Sequence, residues 1–435
     1  MKNESNKKLG LLPTTSLVLG NMVGSGVFLL PASLAVYGGI SILGWVLSSI
    51  GAILLAYIFS NLSKHFPKAG GPYAYTRMGF GDFPAFLVAW GYWISIIATN
   101  AAITVALLSY LTVFFPSLSS NLLLSIGLGL GIIWFLTWIN NRGVHTAGWV
   151  QLVTTILKII PLVLVAFVGI FYINTAHFEP FNISTESNWS AIIATATLTL
   201  FAYLGIECAT IPADNIKNPT VTIPRATTIG TWSAILIYVL GSIAILGIIP
   251  PETLQQSEAP YADAAATIWG EPARYLVAIG AIISTFGALN GWILMQGQVP
   301  LAAANDQLFP AFFKQLNRHK SPARGILFSS VLVSMLMALN YSEGFIQAFE
   351  FMILLATLTV LVPYLFSTAT YLLFHLQPPQ IDQNKWSWSI GLLGFIFSLL
   401  AVVGSGEEVV FWGFLLLMGG IPFYVWLKRD ELISD

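Results

Sequence analysis

The residues best placed to do chemistry lie where a membrane helix would be expected to run unbroken. They are Gly20-Asn21-Met22-Val23-Gly24-Ser25-Gly26-Val27-Phe28-Leu29-Leu30-Pro31, an apolar stretch interrupted by three glycines and two polar side chains. Glycine costs about 1 kcal/mol in a helix relative to alanine, so Gly24-Ser25-Gly26 is a natural place to unwind. Unwound backbone at bilayer depth is tolerated only where it is buried in protein or lines a cavity. The second half of a broken helix presents free N–H groups, and these suit an anionic group such as a carboxylate. The stretch therefore reads as half of a binding site, or alternatively as a Gly-rich face that lets helices approach closely.

Two ionisable residues occupy similarly apolar surroundings, where charge is expensive and usually functional. Lys158 sits in Thr154-Thr155-Ile156-Leu157-Lys158-Ile159-Ile160-Pro161, and Glu207 in Phe201-Ala202-Tyr203-Leu204-Gly205-Ile206-Glu207-Cys208. Each has a purely structural reading, a lysine paired to backbone carbonyls and a protonated glutamate bonded to helix carbonyls. Gly205 and Glu207 repeat, in the sixth apolar segment, the interruption seen in the first. If spans 1–5 and 6–10 are two halves, five being odd, the halves are inverted, and both interruptions fall in the first helix of their half. Paired broken helices at matching positions are the best pointer in a sequence to a transporter's central site. This favours the binding reading of Gly24-Ser25-Gly26.

The elements that must position these residues are membrane helices. The chain has 435 residues, 56% hydrophobic and only 9% charged, against about 25% charged in an average soluble domain. Apolar segments long enough to span a bilayer fall near 11–35, 40–63, 83–113, 122–140, 147–173, 190–213, 227–249, 273–303, 323–341, 348–376, 387–405 and 409–427. With both termini inside, 16 of the 18 Lys and Arg residues face the cytoplasm, Arg274 and Lys158 being the exceptions. The outer loops carry acids instead: Glu179, Glu186, Glu252, Glu258, Asp263, Glu343, Glu407 and Glu408. The expected organisation is a cytoplasmic tail over 1–10, one membrane domain over 11–427 and a second cytoplasmic tail over 428–435. Within the membrane domain the two repeats are expected at about 11–173 and 190–376, with two extra helices at about 387–427. No removable signal peptide is expected. A net charge of −1 gives no reason to invoke nucleic acid, and the single cysteine, Cys208, excludes an internal disulfide.

The motifs GNMVGSGVFLLP (20–31), GGPYAY (70–75), FAYLGIECA (201–209), NIKNP (215–219), GWILMQGQ (291–298), LVPYL (361–365) and GSGEE (404–408) occur in order almost end to end. With them the chain resembles the amino acid–polyamine–organocation superfamily, and within it the bacterial basic amino acid and polyamine antiporters. The arginine/agmatine and putrescine/ornithine exchangers are the comparison. The fold so implied is all-α, with twelve transmembrane helices: a five-plus-five inverted repeat with helices 1 and 6 broken, plus two C-terminal helices. The resemblance implies that Gly24, Ser25 and Gly26 hold a substrate α-carboxylate, while carbonyls of Met22, Phe201 and Leu204, next to Gly205, meet its α-ammonium. Phe201 matches a gating tryptophan of the arginine exchanger, Trp292 the aromatic on which its cation stacks, and Asn100 a residue at its guanidinium end. Ala356 replaces a serine of that protein, and Ile96 and Ile103 make the third-span face more apolar, which leaves a neutral substrate open. Sodium-coupled relatives hold a sodium ion between spans 1, 5 and 8. Lys158 could replace it or carry a proton, and argues against sodium dependence. Glu207 would link the moving helices and sense pH, and Tyr73 and Tyr75 resemble inner-gate aromatics.

The expected function is secondary transport in a bacterial inner membrane, with no cofactor, no metal and no enzymatic reaction. The favoured mechanism exchanges a cationic amino acid for an amino acid or its decarboxylated amine by alternating access. Proton-coupled symport, exchange of neutral amino acids, and a sensor that binds without transporting are the alternatives. A homodimer is compatible with this reading. No G-x-x-x-x-G-K-[ST] loop is present, and His65, His145, His177, His319 and His375 fall in loops or at span ends, away from any catalytic grouping.

Overall fold

The computed structural model describes residues 8–340, 345–376 and 386–429, apart from the side chains of residues 144–146, 340 and 408. Lys2, Lys7, Glu343 and Lys385, the Glu408 side chain and residues 430–435, all part of the expected charge pattern or tails, lie outside what is described. The described residues are helical apart from loops and one isolated parallel bridge, Leu9 to Ile216, which ties the start of the chain to the loop after the sixth span.

Among the described residues, eleven helical segments are long and apolar enough to cross a membrane: Leu11–Leu34, Gly38–His65, Asp82–Leu111, Leu122–Asn140, Ala147–Tyr172, Asn188–Thr210, Pro219–Ile248, Glu271–Asn305, Phe345–Leu376, Ser387–Gly404 and Val409–Lys428. The ninth expected segment is present as a shorter apolar helix, Ala323–Leu339. In chain order these twelve are numbered below as the first to twelfth spans. The first is buried from Ser16 to its end, while most residues of the fourth, eleventh and twelfth are not buried. The arrangement follows from composition. The first span buries the polar side chains Thr14, Ser16, Asn21, Ser25 and Ser33, whereas the side chains that the fourth, eleventh and twelfth turn outward include large apolar ones such as Leu123, Trp138, Leu393, Val403, Phe411 and Trp412, as a helix facing lipid must.

Both interrupted segments break where their sequences weaken the helix. The first runs as helix over Leu11–Met22, leaves helical geometry at Gly24 (φ −122°, ψ −126°) and resumes over Ser25–Leu34. The sixth is helical over Asn188–Leu200, tightens to a 3₁₀ turn at Phe201–Tyr203, reverses at Gly205 and resumes as 3₁₀ turns from Cys208. Gly205 has φ +111°, a conformation that a side chain would strain, and a Cβ there would lie 3.2 Å from the Asn21 Cβ. The two breaks are therefore in contact.

Candidate functional site

Between the breaks lies a cavity lined by Asn21, Met22, Ser25, Gly26, Thr99, Ile103, Phe201, Leu204 and Trp292. Its volume is about 10 Å³, barely that of one water, so the site is collapsed in this conformation. Ser25 opens the second half of the first span, so the first backbone N–H groups of that half lie at the cavity wall. The Ser25 and Thr99 hydroxyls are buried, and among the described residues neither has a hydrogen-bond partner. An unsatisfied buried hydroxyl costs about 1–3 kcal/mol, so both suit a polar ligand.

The glycines matter here through close approach. A Cβ on Gly26 would sit 3.0 Å from the Ala202 Cβ, and one on Gly24 2.8 Å from the Ala288 Cβ. The first break thus lies directly on the sixth and eighth spans, the close approach that the packing reading of these glycines expects.

Asn21 is the hub of the surrounding network. Its amide donates to Cys208 Sγ (3.0 Å), its Oδ1 accepts from Gln151 Nε2 (3.1 Å), and its carbonyl accepts from Trp292 Nε1 (3.2 Å). One residue so joins the first, fifth, sixth and eighth spans and fixes the Trp292 ring against the cavity. Phe201 closes another side, packed edge-on against Phe349 of the tenth span at 5.9 Å. Of the carbonyls expected to meet an ammonium, Met22 already accepts from Gly24 N–H and Phe201 from Leu204 N–H, leaving one lone pair on each.

Asn100 does not line the cavity. Its amide donates to Gln296 Oε1 (2.7 Å), and Gln296 in turn donates to the Ile326 carbonyl and Ser330 Oγ. It therefore sits in the seam of the third, eighth and ninth spans, while its neighbours Thr99 and Ile103 face the site.

Lys158 is fully buried, and its ammonium donates to the carbonyls of Gly20 (2.7 Å) and Val23, beside the first break. Ser284 of the eighth span donates to the same Val23 carbonyl at 3.1 Å. Glu207 is also fully buried and accepts from two hydroxyls, Tyr364 (2.6 Å) on the tenth span and Tyr92 on the third. It is held by phenols, not by helix carbonyls.

Tyr73 and Tyr75 lie on a short helix, Pro72–Phe80, at one end of the bundle. Tyr73 donates to Asp306 Oδ2 (2.8 Å), and Asp306 also pairs with Arg77 at 2.6 Å, which reaches Asp82 at 2.8 Å. Burial and the Asp306 carboxylate push the Tyr73 phenol above its ordinary range. Tyr75 is buried apart from this cluster, and Thr370 donates to its carbonyl at 3.4 Å.

Tyr92, Tyr364, Asn21, Thr99, Phe349 and Asp306 were not singled out as site residues from the sequence. Asn21 and Tyr364 stand inside quoted motifs, so a signal existed for those two. Tyr92 and Thr99 carry none, since a tyrosine or threonine in a membrane helix is unremarkable until its partner is known.

The family model described as amino acid permease matches residues 9–416. The cadaverine/lysine antiporter of Escherichia coli strain K12 is 33% identical over 432 residues, covering 97% of this chain and 95% of that protein. The putrescine transporter PotE of Haemophilus influenzae is 30% identical over 432 residues, 98% of each chain. PotE of Escherichia coli strain K12 is 28% identical over 429 residues, 98% of this chain and 97% of that one. With the family model covering nearly the whole sequence and relatives aligned end to end, the chain belongs to the amino acid permease family, within the amino acid–polyamine–organocation superfamily.

Proposed function

We propose that this protein is an antiporter of a bacterial inner membrane, with both termini cytoplasmic, that exchanges a cationic amino acid for its decarboxylated amine. The observation that carries the reading is the collapsed cavity between two broken helices, with unpaired Ser25 and Thr99 hydroxyls, helix N–H groups and the Trp292 ring at its wall. The N–H groups suit a carboxylate and the indole face a cation, an attraction worth up to about 2 kcal/mol when desolvated. Relatives named for lysine, cadaverine and putrescine support that substrate class. In this reading the breaks head two inverted five-helix repeats over about 11–173 and 190–376, and the bundle rocks around a site at the midplane. Phe201 and Phe349 close one side, and the Tyr73–Asp306–Arg77 cluster the other.

One observation favours a second reading, exchange of a neutral amino acid: no carboxylate is among the cavity-lining residues, and Ile103 is. Uptake of radiolabelled lysine, and in parallel of radiolabelled alanine, into liposomes preloaded with lysine, cadaverine, alanine or buffer separates the cases. Antiport requires uptake only against internal lysine or cadaverine. Accumulation in empty vesicles under an inward proton gradient would replace it with symport, and exchange of alanine but not lysine with the neutral reading.

A further inference from the structure

A large apolar groove lies away from the central cavity. It has a volume of about 560 Å³ and is walled by Trp90 and Trp93 of the third span, Phe313, Phe328 of the ninth, and Phe423 and Leu427 of the twelfth. Trp90 stacks on Phe423 at 5.1 Å, and Trp93 on Phe328 at 6.0 Å. Both indole N–H groups are already bonded inside the protein, Trp90 to the Leu416 carbonyl and Trp93 to Ser329 Oγ, each at 2.8 Å. The groove therefore offers hydrocarbon contact and no free polar group of its own.

The stretch of chain between its wall residues Phe313 and Phe328 is the opposite. The segment joining the eighth and ninth spans carries Lys314, Arg318 and Lys320, the first turn of the ninth carries Arg324, and no acid occurs between Ala311 and Leu339. All four side chains are exposed, and none forms an ion pair with a described residue. Arg324 lies over the Phe312 ring, 5.5 Å from its centroid, beside the groove. Bases with no ion pair to a described residue, beside an apolar groove between spans, match an anionic headgroup joined to an acyl chain. A second copy of the chain fits less well, because a two-fold contact centred here would set the four bases against themselves.

We propose that this groove is a binding site for an anionic glycerophospholipid, its acyl chain against Trp90, Trp93 and Phe328 and its phosphate between Lys314 and Arg324. Asp306 precedes the groove residue Phe309 by three positions, so the lipid packs behind the segment that pairs with Arg77 and Tyr73. Occupancy holds that segment in place. The site is independent of what the central cavity carries.

The test uses purified protein in detergent micelles, titrated with dioleoyl-phosphatidylglycerol or dioleoyl-phosphatidylethanolamine and read by native mass spectrometry. The expected result is saturable binding of phosphatidylglycerol, weakened roughly thirtyfold by Lys314→Ala with Arg324→Ala, at about a factor of five per surface base. Lys314→Arg with Arg324→Lys should keep it, and Phe328→Ser should lose it with the charges intact. Equal binding of both lipids, or no effect of the paired alanine variant, overturns the proposal. So does a lipid-free dimer abolished by Phe328→Ser, which would make the face a protein interface.

Discussion

Lys158 donates from the fifth span to the Val23 carbonyl at the break of the first, and Ser284 of the eighth span donates to that same oxygen. An unwound carbonyl in a membrane needs a donor, and here an ammonium supplies it. Lys158→Met keeps the stem but strips the Gly20 carbonyl of its side-chain donor, a loss of about 1–3 kcal/mol. Thermal unfolding in detergent should show a lowered midpoint. Uptake by the unmodified protein should proceed equally in sodium and potassium media, and a sodium requirement would contradict the role given to Lys158.

Glu207 joins Tyr92 and Tyr364, and so ties the sixth span to the third and tenth. Protonation removes acceptor strength from the carboxylate, so acid loosens this clamp and alkali tightens it. Glu207→Gln, which cannot change charge, should give a flatter pH profile of exchange than the unmodified protein between acidic and neutral pH. An unchanged profile and rate would reduce Glu207 to a structural residue.

Gly26 touches Ala202 so closely that Gly26→Ala must push the first and sixth spans apart, at about 1–3 kcal/mol. Exchange should fall sharply. Adding Ala202→Gly removes the nearer of the two opposing carbons and should restore part of the activity. If the double variant is no better than the single one, the damage lies elsewhere, such as in lost access to the Ser25 N–H.

Trp292→Ala removes both the ring at the cavity and the bond to the Asn21 carbonyl. Trp292→Phe removes only the bond and leaves an aromatic face. For a cationic substrate the KM should rise by up to about thirtyfold in the alanine variant and less in the phenylalanine one. Equal loss in both would assign the residue to holding Asn21, with no cation contact.

The raised Tyr73 phenol keeps its proton through acidic and neutral pH, so its bond to Asp306 does not titrate there. Tyr73→Phe should therefore shift the exchange rate at every pH tested by a similar factor. A Tyr73→Phe profile that changes shape with pH would contradict this.

Much of the molecule was legible in its sequence because the signals are local. Apolar runs set the spans, charge set their count, and two glycine-containing interruptions marked where helices unwind. The shorter Ala323–Leu339 helix is the weakest of these, yet it falls where an apolar segment was expected. The residues at the breaks, Met22, Ser25, Gly26, Phe201 and Leu204, do line one cavity, and Trp292 joins them from far along the chain.

What the tertiary structure alone decided is how each helix is turned. Asn100 and Thr99 are neighbours in sequence, yet one faces Gln296 in a helix seam and the other faces the cavity. About 100° of helix rotation separates them, and apolar periodicity is nearly silent in a helix enclosed on every side. Likewise Glu207 was visible as a buried acid, but its partners Tyr92 and Tyr364 stand 115 and 157 residues away. Composition places such groups in the membrane. Only the rotation and crossing of packed helices determine which of them meet.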